Sequence, residues 1–117
     1  MTCPAAFRGR WRIVWIEGWE DYDLDLLQEA HISFDGERDG RLAFGLADGV
    51  LDVEYVVREN ACCAEFAWEG HMDRNPAGGF GRATLGAAGG LKGSIHIFNF
   101  EDRSFVARRE QTAVRPK

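Results

Sequence analysis

The chain has 117 residues, 45% of them hydrophobic and 28% charged, and a formal net charge of −5. This length and composition predict one folded domain over residues 1–117, with flexible ends at 1–7 and 111–117. No apolar run approaches the roughly 20 residues that span a bilayer, and the acidic excess argues against a basic nucleic-acid-binding face. We therefore expect no nucleic-acid partner and no membrane association.

Turn-forming residues recur about every eight to twelve residues, and the segments between them favour aromatic and β-branched residues, which is typical of an all-β protein. In the first predicted strand, residues 9–17, alternation places Trp11, Ile13 and Trp15 on one face. Seven further strands are predicted at residues 30–35, 41–46, 50–57, 62–69, 80–85, 91–98 and 104–109.

Two connections between the predicted strands have distinctive sequences. Asp48-Gly49 has the composition of a tight hairpin turn and is predicted to precede the fourth strand, whereas residues 70–79 are predicted as a looser connection. Eight short antiparallel strands are the number that closes into a small barrel. We therefore predict a single up-and-down antiparallel barrel, with a two-sheet sandwich as the alternative that the same periodicity allows.

Residues 17–29 depart from this pattern because they carry six acidic residues and no basic residue. The segment alternates in part like a strand, yet some of its apolar residues also suit a helical stripe, so its local structure stays open. We expect it to cover the barrel with its apolar side down and its acids in water. An acidic surface with aromatic residues can attract a basic protein, and the candidate partner-binding residues are Trp19, Glu20, Asp21, Tyr22, Asp23 and Asp25.

The three cysteines, Cys3, Cys62 and Cys63, are an odd number, and two of them are adjacent, so they do not indicate a disulfide framework. The first residues of the chain contain no apolar stretch typical of a signal peptide. The resulting expectation is a cytoplasmic protein with reduced thiols.

Residues that could support catalysis or bind a metal ion are few. His31 and His96 lie between apolar residues in predicted strands, and His71 lies in a predicted loop, with no spacing that brings two of them onto one metal ion. The alternating aspartates of residues 17–29 lack the glycine and the final glutamate of a calcium loop. No nucleophile elbow or phosphate-binding loop is recognisable. We therefore predict no enzymatic activity, no metal site and no cofactor.

The interior of an eight-stranded barrel is just wide enough for side chains or for one small ligand. Alternating aromatic residues would line it, and the candidate ligand-binding residues are Phe44, Tyr55, Phe66, Trp68 and Phe98. The functional prediction is a non-enzymatic binding module for a small apolar ligand or a protein partner. The alternative is an acidic inhibitor, of the antitoxin or anti-defence type, that binds its target through residues 17–29.

The opening Gly9-Arg10-Trp11 resembles the Gly-x-Trp motif of the calycin superfamily, which includes lipocalins and avidin-like proteins. This resemblance implies a barrel in which the first-strand tryptophan packs against an arginine of the last strand. Arg108 or Arg109 is in the right place to supply that arginine, and Arg108 is the candidate structural residue together with Trp11. A cation over an indole face contributes about 0.5–2 kcal/mol.

A second set of motifs extends over nearly the whole chain: Trp11-Arg12-Ile13, Trp19-Glu20-Asp21-Tyr22, Ile32-Ser33-Phe34-Asp35-Gly36 and Glu65-Phe66-Ala67-Trp68-Glu69-Gly70. Their order is similar to that in a family of small uncharacterised bacterial proteins. The closing His-x-Gly-Asp-Asp-Ser-x-Phe motif of that family is only partly kept in residues 96–105. The resemblance implies a fold and a bacterial setting, and no particular chemistry.

Overall fold

The computed structural model describes residues 3–86, 88–100 and 102–110. The two short helices are α1 (Cys3–Phe7) and α2 (Asp21–Leu24). Neither has the length and apolar character needed to cross a membrane. The strands are β1 (Gly9–Ile16), β2 (His31–Asp35), β3 (Asp39–Phe44), β4 (Ala47–Arg58), β5 (Ala61–Met72), β6 (Asn75–Leu85), β7 (Leu91–Ile97) and β8 (Arg103–Arg109).

The eight strands form a closed up-and-down barrel, in which each strand pairs antiparallel with the next and β8 pairs with β1. The closing seam extends from the pair Trp11–Arg109 to the pair Ile16–Phe105. The prediction of an eight-stranded antiparallel barrel is confirmed, and the pairing of β8 with β1 distinguishes it from a two-sheet sandwich. This architecture is compatible with a calycin-like fold.

A bulge in β1 decides which of its side chains face the barrel interior. The pairing with β8 shifts register between Ile13 and Trp15. Trp11, Ile13 and Ile16 are consequently the inward residues, none of them more than 2% exposed, whereas Trp15 is 44% exposed. The predicted placement of Trp15 on the face of Trp11 is wrong because the extra residue of a bulge interrupts the alternation of the strand.

Two connections differ from their predictions. Asp48-Gly49 lies inside β4, and the tight turn that joins β3 to β4 is Gly45-Leu46, with Gly45 at φ +58°. The predicted loose connection 70–79 is instead mostly paired strand, and β5 turns into β6 at Asp73-Arg74, both with positive φ. In each case the turn lies where residues adopt the left-handed conformation, and the polar residues on either side are paired within the strands.

One end of the barrel is closed by α1, which packs onto Trp11 and Arg109. Trp11 is 1% exposed, and its indole Nε1 donates a hydrogen bond to the Phe7 carbonyl at 2.9 Å. The Arg109 guanidinium carbon lies 4.1 Å from the centroid of the Trp11 ring, and its nitrogens donate to the carbonyls of Ala6 and Arg8 at 3.0 and 2.8 Å. These bonds satisfy carbonyl groups at the end of α1 and hold it over the barrel.

The arginine chosen from the sequence for this contact, Arg108, is the wrong one. In the pairing of β8 with β1, Arg109 is opposite Trp11 and Arg108 is opposite Arg12. Because side chains alternate between the two faces of a strand, Arg108 projects outward and is exposed. The expected contact between Trp11 and a last-strand arginine is therefore present, with Arg109 in place of Arg108.

A disulfide joins Cys3 of α1 to Cys62 of β5, 59 residues later in the chain, with their Cα atoms 5.6 Å apart. Cys63 is a free, buried cysteine. The prediction of three reduced thiols is wrong because the packing of α1 carries Cys3 to β5. The expected cytoplasmic location loses its support from reduced thiols, since disulfides persist mainly in oxidising compartments.

Within the predicted flexible end 1–7, the described residues 3–7 pack against the barrel, and residues 1 and 2 lie outside the described part of the chain. Residues 3–7 form α1, and the Phe7 side chain is fully buried. The Phe7 ring meets Phe34 edge-on, with centroids 5.4 Å apart. The second predicted flexible end, 111–117, lies outside the described residues.

Candidate functional site

Aromatic side chains fill the middle of the barrel interior. Phe66 and Trp68 of β5 are 4% and 3% exposed. A Cβ atom on Gly81 would lie 2.7 Å from the Phe66 ring, and one on Gly49 would lie 2.9 Å from the Trp68 ring. Only glycine leaves room for these two rings, which therefore occupy the space in which the sequence prediction places a ligand.

Tyr55, another predicted ligand-binding residue, packs at the closed end of the barrel. Its ring centroid lies 5.5 Å from that of Phe7 and 6.3 Å from that of Phe34. Its hydroxyl is buried and has no hydrogen-bond partner among the described residues. Burial raises the pKa of Tyr55, with smaller opposing effects of Arg8, which lowers it, and Asp35, which raises it.

Replacing Tyr55 with Phe should leave the free energy of unfolding at pH 7 unchanged or increase it by up to about 2 kcal/mol, because the buried hydroxyl has no partner. The folded-state pKa is raised, so the stability contribution of the protonated hydroxyl is present below about pH 10 and is lost as the pH rises through the folded pKa. Urea unfolding of the parent and Tyr55→Phe proteins at pH 7 and pH 10.5 should show a smaller alkaline loss in the variant. A variant destabilised by more than about 1 kcal/mol at pH 7 would contradict the absence of a partner.

The opposite end of the barrel is open and holds a cavity of about 400 Å³, which we call the mouth cavity. Small-molecule sites typically have volumes of about 300–1,000 Å³. The apolar walls come from β1, β3, β5, β7 and the β7–β8 connection, and they are formed by Ile16, Phe44, Met72, Ile95, Ile97 and Phe100. Of the five predicted ligand-binding residues, Phe44 is the one that lines this cavity.

The segment between β1 and β2 covers part of the mouth cavity. Trp19 lines the cavity and packs edge-on against Phe44, with ring centroids 5.5 Å apart. Leu24 of α2 is 5% exposed, and its carbonyl accepts a hydrogen bond from the Gly45 amide at 2.7 Å. The segment covers the barrel as predicted, but its apolar side is only partly directed inward, since Leu26 and Leu27 are 53% and 60% exposed. Trp19, however, belongs to the cavity wall and not to an exposed acidic surface.

Arginines of β1 neutralise two acids of this segment. Asp25 accepts hydrogen bonds from Arg12 Nη2 and from the Ala30 amide, both at 2.9 Å. Glu29 forms ion pairs with Arg12 and, at 3.5 Å, with Arg10. Asp25 and Glu29 stay partly exposed to water, as expected, but their charges are offset because β1 places its outward arginines beside them.

The rest of the predicted partner surface surrounds α2. Glu20, Asp21 and Tyr22 are exposed, Tyr22 by 76%. The Asp23 carboxylate accepts a hydrogen bond from the Glu20 amide at 3.2 Å and so caps the first turn of α2. Binding of a partner through these residues stays a prediction.

Phe98, which the sequence places inside the barrel, lies on the outer surface and is 54% exposed. Its ring packs edge-on against those of His96 and Phe80, with centroids 5.8 and 6.0 Å away. It follows Ile97, whose side chain faces inward, so alternation directs it outward. A wider groove of about 1010 Å³ reaches from Phe98 past Phe100 to Ile97 at the mouth.

Arg103 and Asn99 bring polar groups to the wall of the mouth cavity. Arg103 begins β8 and pairs with Ile95, which places both residues on the inner face. Its Nη1 donates to the Glu17 carbonyl at 3.4 Å, a long contact. It forms no ion pair with any other described residue. Arg103, whose guanidinium has donors left unused by the described residues, therefore lines a mainly apolar cavity.

The histidines and the free cysteine have local structural contacts. His31 is buried with Nδ1 3.0 Å from the Glu29 carbonyl, and His96 Nδ1 lies 2.5 Å from an Asp102 carboxylate oxygen. Burial, and to a lesser extent Glu65, raises the pKa of the Cys63 thiol. Within the described part of the chain, no group of three or more His, Cys, Asp or Glu residues is placed to hold a metal ion.

Sequence reasoning misses most residues of the mouth cavity. It assigns Met72 to a connection, and Phe100 and Arg103 to a loop before the last strand, while the bulge in β1 hides Ile16. One available signal is the continued alternation of inward positions along β5, which reaches Met72 if the strand is extended beyond its predicted end at residue 69.

Comparisons of the chain with protein-family models, with curated proteins and with solved structures give no significant match. The resemblance to the small bacterial family is therefore not confirmed, and the barrel agrees with calycins in architecture alone.

Proposed function

We propose that this protein is a non-enzymatic binding module that holds a small, mainly apolar ligand in the mouth cavity. The observation that supports this most strongly is the cavity itself, about 400 Å³ in volume with walls that are mostly apolar. Well-packed protein interiors leave few voids larger than a water molecule. A concave apolar site with a few polar groups is the usual form of a small-molecule site.

The proposed ligand lies at the open end of the barrel and not in its middle. Phe66 and Trp68 fill the middle, whereas Phe44 and Ile97 form inner surfaces of the cavity that a ligand can contact. Trp19 lies on the covering segment against the same cavity, so its fluorescence should respond to binding. Burial of an apolar ligand surface supplies about 25 cal/mol per Å² before the costs of association.

Adjacent residues at the end of β7 offer a matched pair of variants for the test. Ile97 lines the mouth cavity and is 7% exposed, while Phe98 projects to the outer surface. We expect the neutral dye Nile red to bind the parent protein with increased fluorescence. Ile97→Trp fills the cavity and should weaken dye binding by about tenfold or more, whereas Phe98→Trp should leave the affinity within about twofold of the parent.

Fluorescence titration at constant salt measures the affinity of each variant for Nile red, and thermal unfolding checks that each variant is folded. An equal loss of dye affinity in the two variants would place the binding site in the wider groove that includes Phe98 and would contradict the proposal. Absence of saturable binding to the folded parent would also contradict it.

A further inference from the structure

We propose that the ligand of the mouth cavity is an amphipathic monocarboxylate, with its carboxylate bound by Arg103 and its apolar chain in the cavity; this inference rests on the proposed function. Arg103 would thereby determine which ligands the cavity accepts. It also narrows the ligand class from apolar molecules in general to molecules with one apolar end and one anionic end.

Arg103 lines the cavity, and its guanidinium lies against the backbone of Glu17 and Gly18. Arg103 shares the inner face of the barrel with Ile95, its partner on β7, and both line the cavity. Gly18, at φ +84°, faces the guanidinium closely enough that a Cβ there would lie 2.5 Å from Nη1. The absence of a side chain at Gly18 therefore makes room for the guanidinium beside the cavity.

The guanidinium uses little of its hydrogen-bonding capacity on the described residues. Its one hydrogen bond to a described residue is the long contact with the Glu17 carbonyl. The Glu17 carboxylate instead accepts a hydrogen bond from the Ser104 amide at 3.2 Å, and Asp102 is paired with His96. Glu17 and Asp102 thus hydrogen-bond to other groups, and an anionic ligand would supply a partner for the guanidinium.

The charge at the cavity favours a carboxylate over a phosphate monoester. Arg103 is the one basic residue that lines the mouth cavity, as far as the described residues extend. A single guanidinium matches one planar carboxylate with two parallel hydrogen bonds. A phosphate monoester carries about 1.5–2 negative charges at pH 7, which one arginine does not neutralise in a protein of net charge −5.

The apolar walls account for the other end of the ligand. Ile16, Ile95 and Ile97 lie on the same inner surface as Arg103, so a chain attached to the bound carboxylate passes directly over apolar side chains. Each buried methylene adds a constant increment of binding free energy. Affinity should therefore rise about fourfold for each carbon added, until the chain fills the cavity.

Pairs of compounds that differ in the head group alone provide the test, with displacement of Nile red as the measurement. We expect octanoate to bind the parent at least about tenfold more tightly than 1-octanol, and decanoate more tightly than octanoate. Octyl phosphate should bind no more tightly than octanoate. Arg103→Gln should remove the preference for the acid while leaving the affinity for octanol within about twofold, and Arg103→Lys should keep only part of it.

The control is Arg82→Gln, which removes an exposed arginine from the outer face of β6. It should leave the affinities for octanoate and for octanol unchanged. Equal binding of octanoate and octanol to the parent would overturn this inference while leaving the proposed function standing. If neither compound binds and the dye does not bind either, this inference and the proposed function are both overturned. If Arg103→Gln does not fold, the acid–alcohol comparison in the parent and in Arg103→Lys still decides the question.

Discussion

Replacing Trp11 with Ala should lower the free energy of unfolding by about 3–5 kcal/mol, the range for truncation of a buried aromatic side chain. Trp11 is 1% exposed, and its indole donates to the Phe7 carbonyl and lies under the guanidinium of Arg109. The substitution leaves a cavity, an unsatisfied carbonyl and an uncovered cation at the point where α1 closes the barrel. Urea unfolding followed by circular dichroism measures the change.

Trp15 provides the matched control for this substitution. It belongs to the same strand, but the bulge directs it outward, and it is 44% exposed. Trp15→Ala should cost clearly less than Trp11→Ala, since a side chain that is 44% exposed leaves no enclosed cavity when it is truncated. Equal losses in the two variants would contradict the assignment of Trp11 as the centre of the closed end.

The alternation of apolar and polar residues was sufficient to predict most of the strands, while the choice of a closed barrel over a sandwich rested on their number. Each strand presents one face to a shared core, so residues such as Leu42 and Val53 appear at every second position, with the period that a half-buried strand requires. Short connections between successive strands then favour an up-and-down order. Eight strands that pair in this order form a small closed barrel.

The turns and the bulge could not be read from the same pattern. Asp48-Gly49 is a favourable hairpin sequence, but Gly45-Leu46 turns the chain because pairing of Phe44 with Ala47 buries two apolar side chains beside it. The bulge between Ile13 and Trp15 depends on the pairing of β1 with β8, which are far apart in the sequence. A contact of this kind leaves no local signal.

The mouth cavity was also beyond local reasoning because it is assembled from the ends of separate strands. Aromatic residues attract attention as ligand contacts, yet Phe66 and Trp68 pack over glycines of neighbouring strands. Which glycines face them follows from inter-strand register alone. Arg103 is one of twelve arginines in the sequence, and its inward direction depends on its pairing with Ile95.

The same limitation explains why the disulfide was missed. Cys3 and Cys62 are brought together by α1, whose position depends on its contacts with Trp11 and Arg109. Sequence spacing favours no pairing among three cysteines.

Thiol titration of the unfolded, unreduced chain checks the disulfide directly. It should give one reactive thiol, that of Cys63, from the three cysteines. Three reactive thiols would show that the bridge is absent.

Removing this disulfide by the double substitution Cys3→Ser and Cys62→Ser should lower the free energy of unfolding by about 2–4 kcal/mol. The bridge closes a loop of 59 residues and so restricts the unfolded chain strongly, and it also tethers α1 over the barrel. Urea unfolding of the oxidised parent and the variant measures the loss. Cys63→Ala, on the opposite face of β5, is the control and should cost less than about 1.5 kcal/mol. Unchanged stability in the double variant would contradict a stabilising role for the bridge.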